Sequence, residues 1–332
     1  MKPRVALIGT GGTISSIGRD SLDIWEYMDT SRKAEPDELL QRFPEVAEAA
    51  EIVPVKFRAV GSTAIGPLDW LALDRAVHDA IGREAPLDGL VITHGTATLE
   101  ETAYFLHLSL KTAATVVVVG AQRPATGLSS DAGLNLLNAV RVAAAPEARG
   151  LGVLVLLNDE IQTAREVTKT STLRLETFRS PDLGMLGYAD PDGRIAIYRR
   201  PSRRHAPDTE FDVRDRAELP RVDIVASYAG ADGSAIRAFV AAGARAIVSA
   251  SLPPGVTTPV ETEALLEARR QGVAIVLSSR AGSGRVLPRT LLRRQGFVVA
   301  DNLAPQKARV LAMLALTRTD DPSTLQRIFD EY

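Results

Sequence analysis

Val5-Ala6-Leu7-Ile8, Gly89-Leu90-Val91-Ile92-Thr93, Thr115 with the valines up to Val119, and residues 152–157 are short apolar runs that close on glycine, threonine or a polar turn. An apolar run without alternation fits a strand buried on both faces, and residues 51–55 are read the same way. Between the runs, Pro67–Ile81, Leu99–Ser109 and residues 131–145 have the apolar spacing of helices. This alternation predicts an α/β fold, with a mostly parallel sheet, right-handed crossovers and helices on both faces. Reactive groups in such sheets collect at the carboxyl ends of the strands. Two glycine-flanked threonines are expected there: Thr13 in Gly9-Thr10-Gly11-Gly12-Thr13 and Thr96 in His94-Gly95-Thr96.

The pattern breaks over 191–220, where Arg199, Arg200, Arg203 and Arg204 stand among Pro201, Pro207, Asp208 and Asp212. Such a run reads as a solvated interdomain linker in preference to a phosphate site. Strand and helix signals resume with Val222–Ala226, 234–242, 246–250, 260–271, 274–277 and a last helix from Pro305. The expected organisation is two α/β domains with mostly parallel sheets: a larger one over 1–190, a linker over 191–220, and a smaller one over 221–332. A chain of 332 residues is long enough for both.

Composition removes several classes of function. The net charge of −2 offers no nucleic-acid surface, and no apolar run approaches bilayer length, so neither partner is expected. With no cysteine there is no disulfide, thiolate metal site or cysteine nucleophile. His78, His94, His107 and His205 are scattered without ligand spacing, so no metal or other cofactor is expected. A strand beginning at Val5 leaves no room for the long apolar region of a signal peptide, which makes the cytoplasm the expected location.

The loop after the first strand lacks both the Gly-Lys-Ser/Thr ending of a P-loop and the spacing of a dinucleotide site. Taken alone it reads as readily as a tight turn. A second hydroxyl at a second strand end adds weight, and a hydroxyl nucleophile needs a base. Lys169, in Val167-Thr168-Lys169-Thr170, supplies an amine that desolvation would make basic towards threonine.

These segments resemble those of the bacterial-type asparaginase/glutaminase family. Thr10-Gly11-Gly12-Thr13-Ile14 is similar to its first signature and His94-Gly95-Thr96-Ala97-Thr98-Leu99-Glu100-Glu101-Thr102-Ala103-Tyr104 to its second. Gly120-Ala121-Gln122-Arg123-Pro124, Val167-Thr168-Lys169-Thr170 and Asn302-Leu303-Ala304-Pro305-Gln306-Lys307-Ala308-Arg309 follow in the family's order, so the resemblance spans the chain. It implies a homotetramer built from close dimers, or a homodimer, with each active site between the first domain of one subunit and the second domain of its neighbour. It also implies Thr13 as the nucleophile that forms an acyl-enzyme, and Thr96 with Lys169 as the proton relay. Tyr27 would activate Thr13 as a loop closes, although Trp25 stands two positions away and Tyr27 also reads as a packing aromatic. Gly61, Ser62, Thr63, Gly95 and Ala97 would line the substrate, with the Ser62 hydroxyl on its carboxylate.

The chain departs from the family on one side of that substrate. Ala97 stands where the resemblance implies an aspartate on the α-ammonium, and Thr63 where a glutamine or similar polar group is usual. Ser251-Leu252-Pro253-Pro254-Gly255 replaces an asparagine-bearing loop, and residues 281–295 carry no acid where a glutamate would reach in from the neighbour. That segment instead holds Arg285, Arg289, Arg293 and Arg294, which read either as anion-binding groups or as a solvated face. An ammonium left unpaired in a buried site loses on the order of 3–5 kcal/mol. The expectation is therefore a hydrolase of a small amide, lactam or ester that lacks an α-ammonium. Two alternatives stand beside it: an L-asparaginase/glutaminase of weakened activity, and a catalytically silent small-molecule-binding protein.

Overall fold

The computed structural model describes residues 2–82 and 86–332. The chain divides into two units, one running up to Asp215 and the other from Arg216 to Tyr332. In chain order the strands of the first unit are β1 (Arg4–Gly11), β2 (Ser16–Ile17), β3 (Arg32–Lys33), β4 (Glu51–Val60), β5 (Gly89–Thr93) and β6 (Thr115–Val119). They continue with β7 (Val153–Leu157), β8 (Glu160–Thr163), β9 (Thr168–Lys169), β10 (Phe178–Arg179), β11 (Gly187–Ala189) and β12 (Ile195–Ile197).

The main sheet has the order β12-β11-β8-β7-β6-β5-β1-β4, with β2-β3 and β9-β10 as separate ladders. β4, β1, β5, β6 and β7 run parallel, while β8, β11 and β12 join antiparallel. β5, β6 and β7 are buried at every residue, as unbroken apolar runs require. β4 differs from the expectation of burial on both faces. Among the described residues it pairs only with β1, and its burial alternates, because an edge strand keeps solvent on one side and its charged Glu51, Lys56 and Arg58 remain hydrated. The stretch expected as a linker contains β12, the opposite edge of the same sheet.

Helices cover both faces of this sheet at the expected places, Pro67–Ile81, Leu99–Ser109 and Ala132–Ala144. Trp70 stacks on Phe105 with ring centroids 5.4 Å apart, and its Nε1 donates to Thr102 Oγ1 at 2.9 Å. An aromatic pair of this kind adds about 0.5–1.5 kcal/mol beyond its buried area. It fixes the helix that follows Thr96 against its neighbour. Ala132–Ala144 lays Leu136, Ala139, Val140 and Ala143 into a cluster with Val5, Leu7, Val91 and Val117.

The register decides where the loops emerge. Gly11 lies opposite Val60, Gly9 opposite Thr93, and Thr93 opposite Val119. The segments that follow β1, β4, β5 and β6 therefore leave the sheet at one level. The chain also passes from β1 to β4 on one side and then to β5 on the other, so β1 borders the point where strand order reverses and a crevice opens.

In the second unit β13 (Val222–Ala226), β14 (Ala246–Ser251), β15 (Ala274–Ser279) and β16 (Val298–Val299) form a parallel sheet in that order. Ile236, Ile247, Leu265, Ile275 and Phe297 belong to its core. Thr258 caps the helix Pro259–Arg270 through a reciprocal pair with Glu261, each bond 3.1 Å long.

Candidate active site

Thr13 is presented by a turn that only glycine permits. Gly12 adopts φ 84° and ψ −177°, a region closed to side-chain-bearing residues in practice. Its N–H donates to Val60 O at 2.9 Å, and its carbonyl accepts the hydroxyls of Ser15 and Ser16 at 3.1 and 3.0 Å. A Cβ on Gly12 would stand 2.2 Å from Gly95 N, and one on Gly95 would stand 2.8 Å from Ser62 Cβ. Two loops thus cross backbone to backbone and the Ser62 side chain packs against the crossing, which brings Thr13, Ser62 and Thr96 to one place. Thr10 Oγ1 donates to Thr93 O at 2.6 Å and His94 N to Val119 O at 2.8 Å, tying the strand ends together.

The two threonines have separate partners. Tyr27 is 5% exposed and its hydroxyl lies 3.1 Å from Thr13 Oγ1. Burial above all raises the phenol's pKa, and the charges of Asp131 and Asp23 act in the same direction. The phenol is therefore a neutral hydrogen-bonding group. Trp25 is 58% exposed, so Tyr27 is the aromatic that reaches Thr13. On the other side Lys169 Nζ lies 2.7 Å from Thr96 Oγ1. Burial lowers the pKa of this amine, and the Glu100 carboxylate opposes the shift. Glu100 Oε1 accepts the Lys169 backbone N–H at 3.3 Å. His94 is wholly buried, which pushes its pKa down to about 4, and its Nδ1 lies 2.8 Å from Gly95 O. It is a neutral structural imidazole at the turn.

A pocket of ≈ 230 Å³ is lined by Thr13, Tyr27, Thr96 and Lys169 together with Gly61, Ser62, Thr63, Gly95 and Ala97. The four residues expected for catalysis and the five expected to line the substrate all border it, whereas Arg285, Arg289, Arg293 and Arg294 do not. Ser62 is buried in a short turn, its carbonyl accepting Thr98 Oγ1 at 2.8 Å, while Gly61, Thr63 and Ala97 are exposed. Lys33, Gln122, Met28, Thr172 and Leu173 also line the pocket without having been anticipated in this role. Gln122 stood within a quoted segment, but nothing in the local pattern marked Lys33. Among the described residues no carboxylate lines this pocket, whereas two amines do. No group of three or more His, Cys, Asp or Glu among the described residues is arranged to hold a metal. A larger open groove of ≈ 980 Å³, lined by Arg141, Arg194 and Arg200 among others, includes none of these threonines.

In the second unit Arg285 is tied to Asp301, and Arg289 Nη2 donates to Gly255 O at 3.2 Å. Arg293 and Arg294 lie in the helix Thr290–Arg294, and both are exposed on it. No helix among the described residues is long and apolar enough to cross a membrane.

Comparison with known proteins agrees with this geometry over both units. Residues 4–203 match the family described as Asparaginase, N-terminal, and residues 221–329 match the Glutaminase/Asparaginase C-terminal domain. The chain is 41% identical over 331 residues to a glutaminase-asparaginase of Pseudomonas fluorescens biotype A, covering 99% of this chain and 90% of that protein. It is 39% identical over 330 residues to L-asparaginase 2 of Bacillus subtilis strain 168, covering 99% and 87%. The crystal structure of a probable cytoplasmic L-asparaginase from Campylobacter jejuni superposes with a TM-score of 0.95 at 38% identity, covering 100% of both chains. With its threonines, tyrosine and lysine gathered at the strand ends, and with a likeness that runs through both units, this chain belongs to the bacterial-type asparaginase/glutaminase family of amidohydrolases.

Proposed function

We propose that this enzyme hydrolyses the side-chain amide of a small dicarboxylic monoamide through an acyl-enzyme on Thr13. The carrying observation is the pair of contacts in one pocket, Tyr27 to Thr13 at 3.1 Å and Lys169 to Thr96 at 2.7 Å. Thr13 Oγ1 attacks the amide carbonyl while Tyr27 polarises the hydroxyl. Lys169, acting through Thr96, accepts a proton and returns it to the departing ammonia, and water then cleaves the ester. The lowered proton affinity of Lys169 suits a base that must be neutral to act. Ser62 offers a hydroxyl to the substrate carboxylate.

The names of the relatives support L-asparagine and L-glutamine as substrates, held with a weakened grip on the α-ammonium. The comparisons favour this reading over one that discards the ammonium altogether. A second reading has its own observation: the pocket is lined by Ala97, Lys33 and Lys169 and by no carboxylate among the described residues, which suits an amide without an α-ammonium. Ammonia release from L-asparagine and L-glutamine, each set against its des-amino isostere, succinamate or glutaramate, separates the two. A kcat/KM at least tenfold higher for the amino acid removes the second reading, and the reverse ratio removes the first. Absence of turnover on all four would remove the amide hydrolysis itself.

The assembly belongs to the same reading, as a homotetramer of close dimers or a homodimer, and light scattering of the purified chain tests it. A cytoplasmic location is supported by the name of the Campylobacter jejuni neighbour. Cell fractionation decides it.

A further inference from the structure

Gln122 is no member of the relay, yet it touches it. Its Oε1 stands 3.3 Å from Lys169 Nζ, while its Nε2 is buried without a hydrogen-bond partner among the described residues. The backbone beneath is pinned: Asp131 accepts the N–H groups of Gln122 and Arg123 at 2.9 Å each, and Asn135 Nδ2 donates to Gly120 O at 3.0 Å. The side chain thus keeps its oxygen on the lysine although its nitrogen is left unmatched. An orphaned buried donor of this kind calls for a functional explanation.

A neutral lysine amine has two N–H groups and one lone pair, and it accepts the proton of Thr96 only when the lone pair faces Thr96 Oγ1. An acceptor placed on one N–H fixes that rotation. We propose that Gln122 is a positioning residue of this site, its Oε1 accepting from Lys169 Nζ so that the amine's lone pair is turned to Thr96. The inference rests on the relay of the proposed function. A neutral amide is the fitting group here, because a carboxylate at the same distance would favour the ammonium form and remove the base. Glu100 already acts in that direction.

The test uses the full-length enzyme with Gln122→Glu, an isostere, and Gln122→Met, which has no strong acceptor. Lys169 is titrated by NMR of ¹³Cε-labelled lysine, its signal assigned by its loss in Lys169→Met, and kcat/KM for the amides above is followed against pH. In Gln122→Glu the Lys169 midpoint and the acid limb of the profile should move together to higher pH, each unit costing about tenfold in neutral amine below the midpoint. In Gln122→Met kcat should fall about 10-fold to 100-fold with KM nearly unchanged, as misorientation of a reacting group does. An unmoved Lys169 midpoint in a folded Gln122→Glu enzyme overturns the proposal, as does a folded Gln122→Met enzyme with wild-type kcat. Should Gln122→Met not fold, the isosteric Glu variant decides. If the wild type hydrolyses none of the amides, the proposed function fails, while the titration still reports on the contact between Gln122 and Lys169.

Discussion

Replacing Gly12 by alanine tests whether the crossing of two strand ends is what holds the threonines together. Gly12 occupies φ 84° and ψ −177°, and a side chain forced into that region costs about 1–3 kcal/mol. The new Cβ would stand 2.2 Å from Gly95 N and 2.3 Å from Gly95 Cα, backbone atoms that cannot rotate away. Overpacking of this kind adds about 1–3 kcal/mol. The sum, about 2–6 kcal/mol, is a large share of the roughly 5–15 kcal/mol that holds an ordinary protein folded. Gly150 is the control, since it has φ +69° but none of the described residues within 4 Å of an added Cβ, so Gly150→Ala carries the backbone cost alone. That cost is about 1–2 kcal/mol. Urea unfolding followed by tryptophan fluorescence reports on the right unit, because Trp25 and Trp70 both precede Asp215. Gly12→Ala should lose at least about 1 kcal/mol more than Gly150→Ala. Its kcat for ammonia release should drop about 100-fold, the effect of displacing a reacting group by an ångström. A Gly12→Ala enzyme with wild-type kcat and stability within about 0.5 kcal/mol of wild type would refute the reasoning from the crossing.

Thr13→Ala should abolish ammonia release while leaving the unfolding midpoint close to wild type; persisting turnover would move the nucleophile to Thr96. Because burial lowers the pKa of Lys169 and the neutral amine is the base, kcat/KM should rise with pH through that lowered value, and a kcat/KM that does not change with pH below the ordinary lysine range would contradict the role. The same shift bears on stability: between the lowered folded pKa and the ordinary lysine value the unfolded chain binds more protons, so stability rises with pH across that window. Lys169→Met should flatten that rise and stabilise the fold at neutral pH, as unfolding curves at several pH values would show. Ala97→Asp should improve L-asparagine relative to succinamate by no more than about tenfold, one 1.4 kcal/mol step, because the other ammonium contacts that the family resemblance implies are also replaced. A gain of a thousandfold in the kcat/KM ratio would mean that Ala97 alone sets the preference.

The legible part of the fold follows from burial on both faces. β5, β6 and β7 are covered by helices above and below, so each residue had to be apolar or small, and the runs show it directly. β4 misled because Ile52, Val53 and Val55 read as an ordinary buried run, while its place at an edge depends on which strands fail to pair with it. β11 and β12 were too short for a period and are held mainly by their neighbours in the sheet.

For the site, the sequence alone determined its ingredients: two hydroxyls on glycine-bounded strand ends, a lysine beyond a later strand, and the loss of acids at Ala97 and over 281–295. Glycines and catalytic side chains are legible because backbone conformation and chemistry act at single positions. Only the tertiary structure decided that Lys33 and Gln122 face the same pocket, that Tyr27 and not Trp25 meets Thr13, and that Lys169 is desolvated beside Thr96. Those facts depend on the register of four parallel strands and on burial by segments distant in sequence, and both arise only when the sheet is assembled.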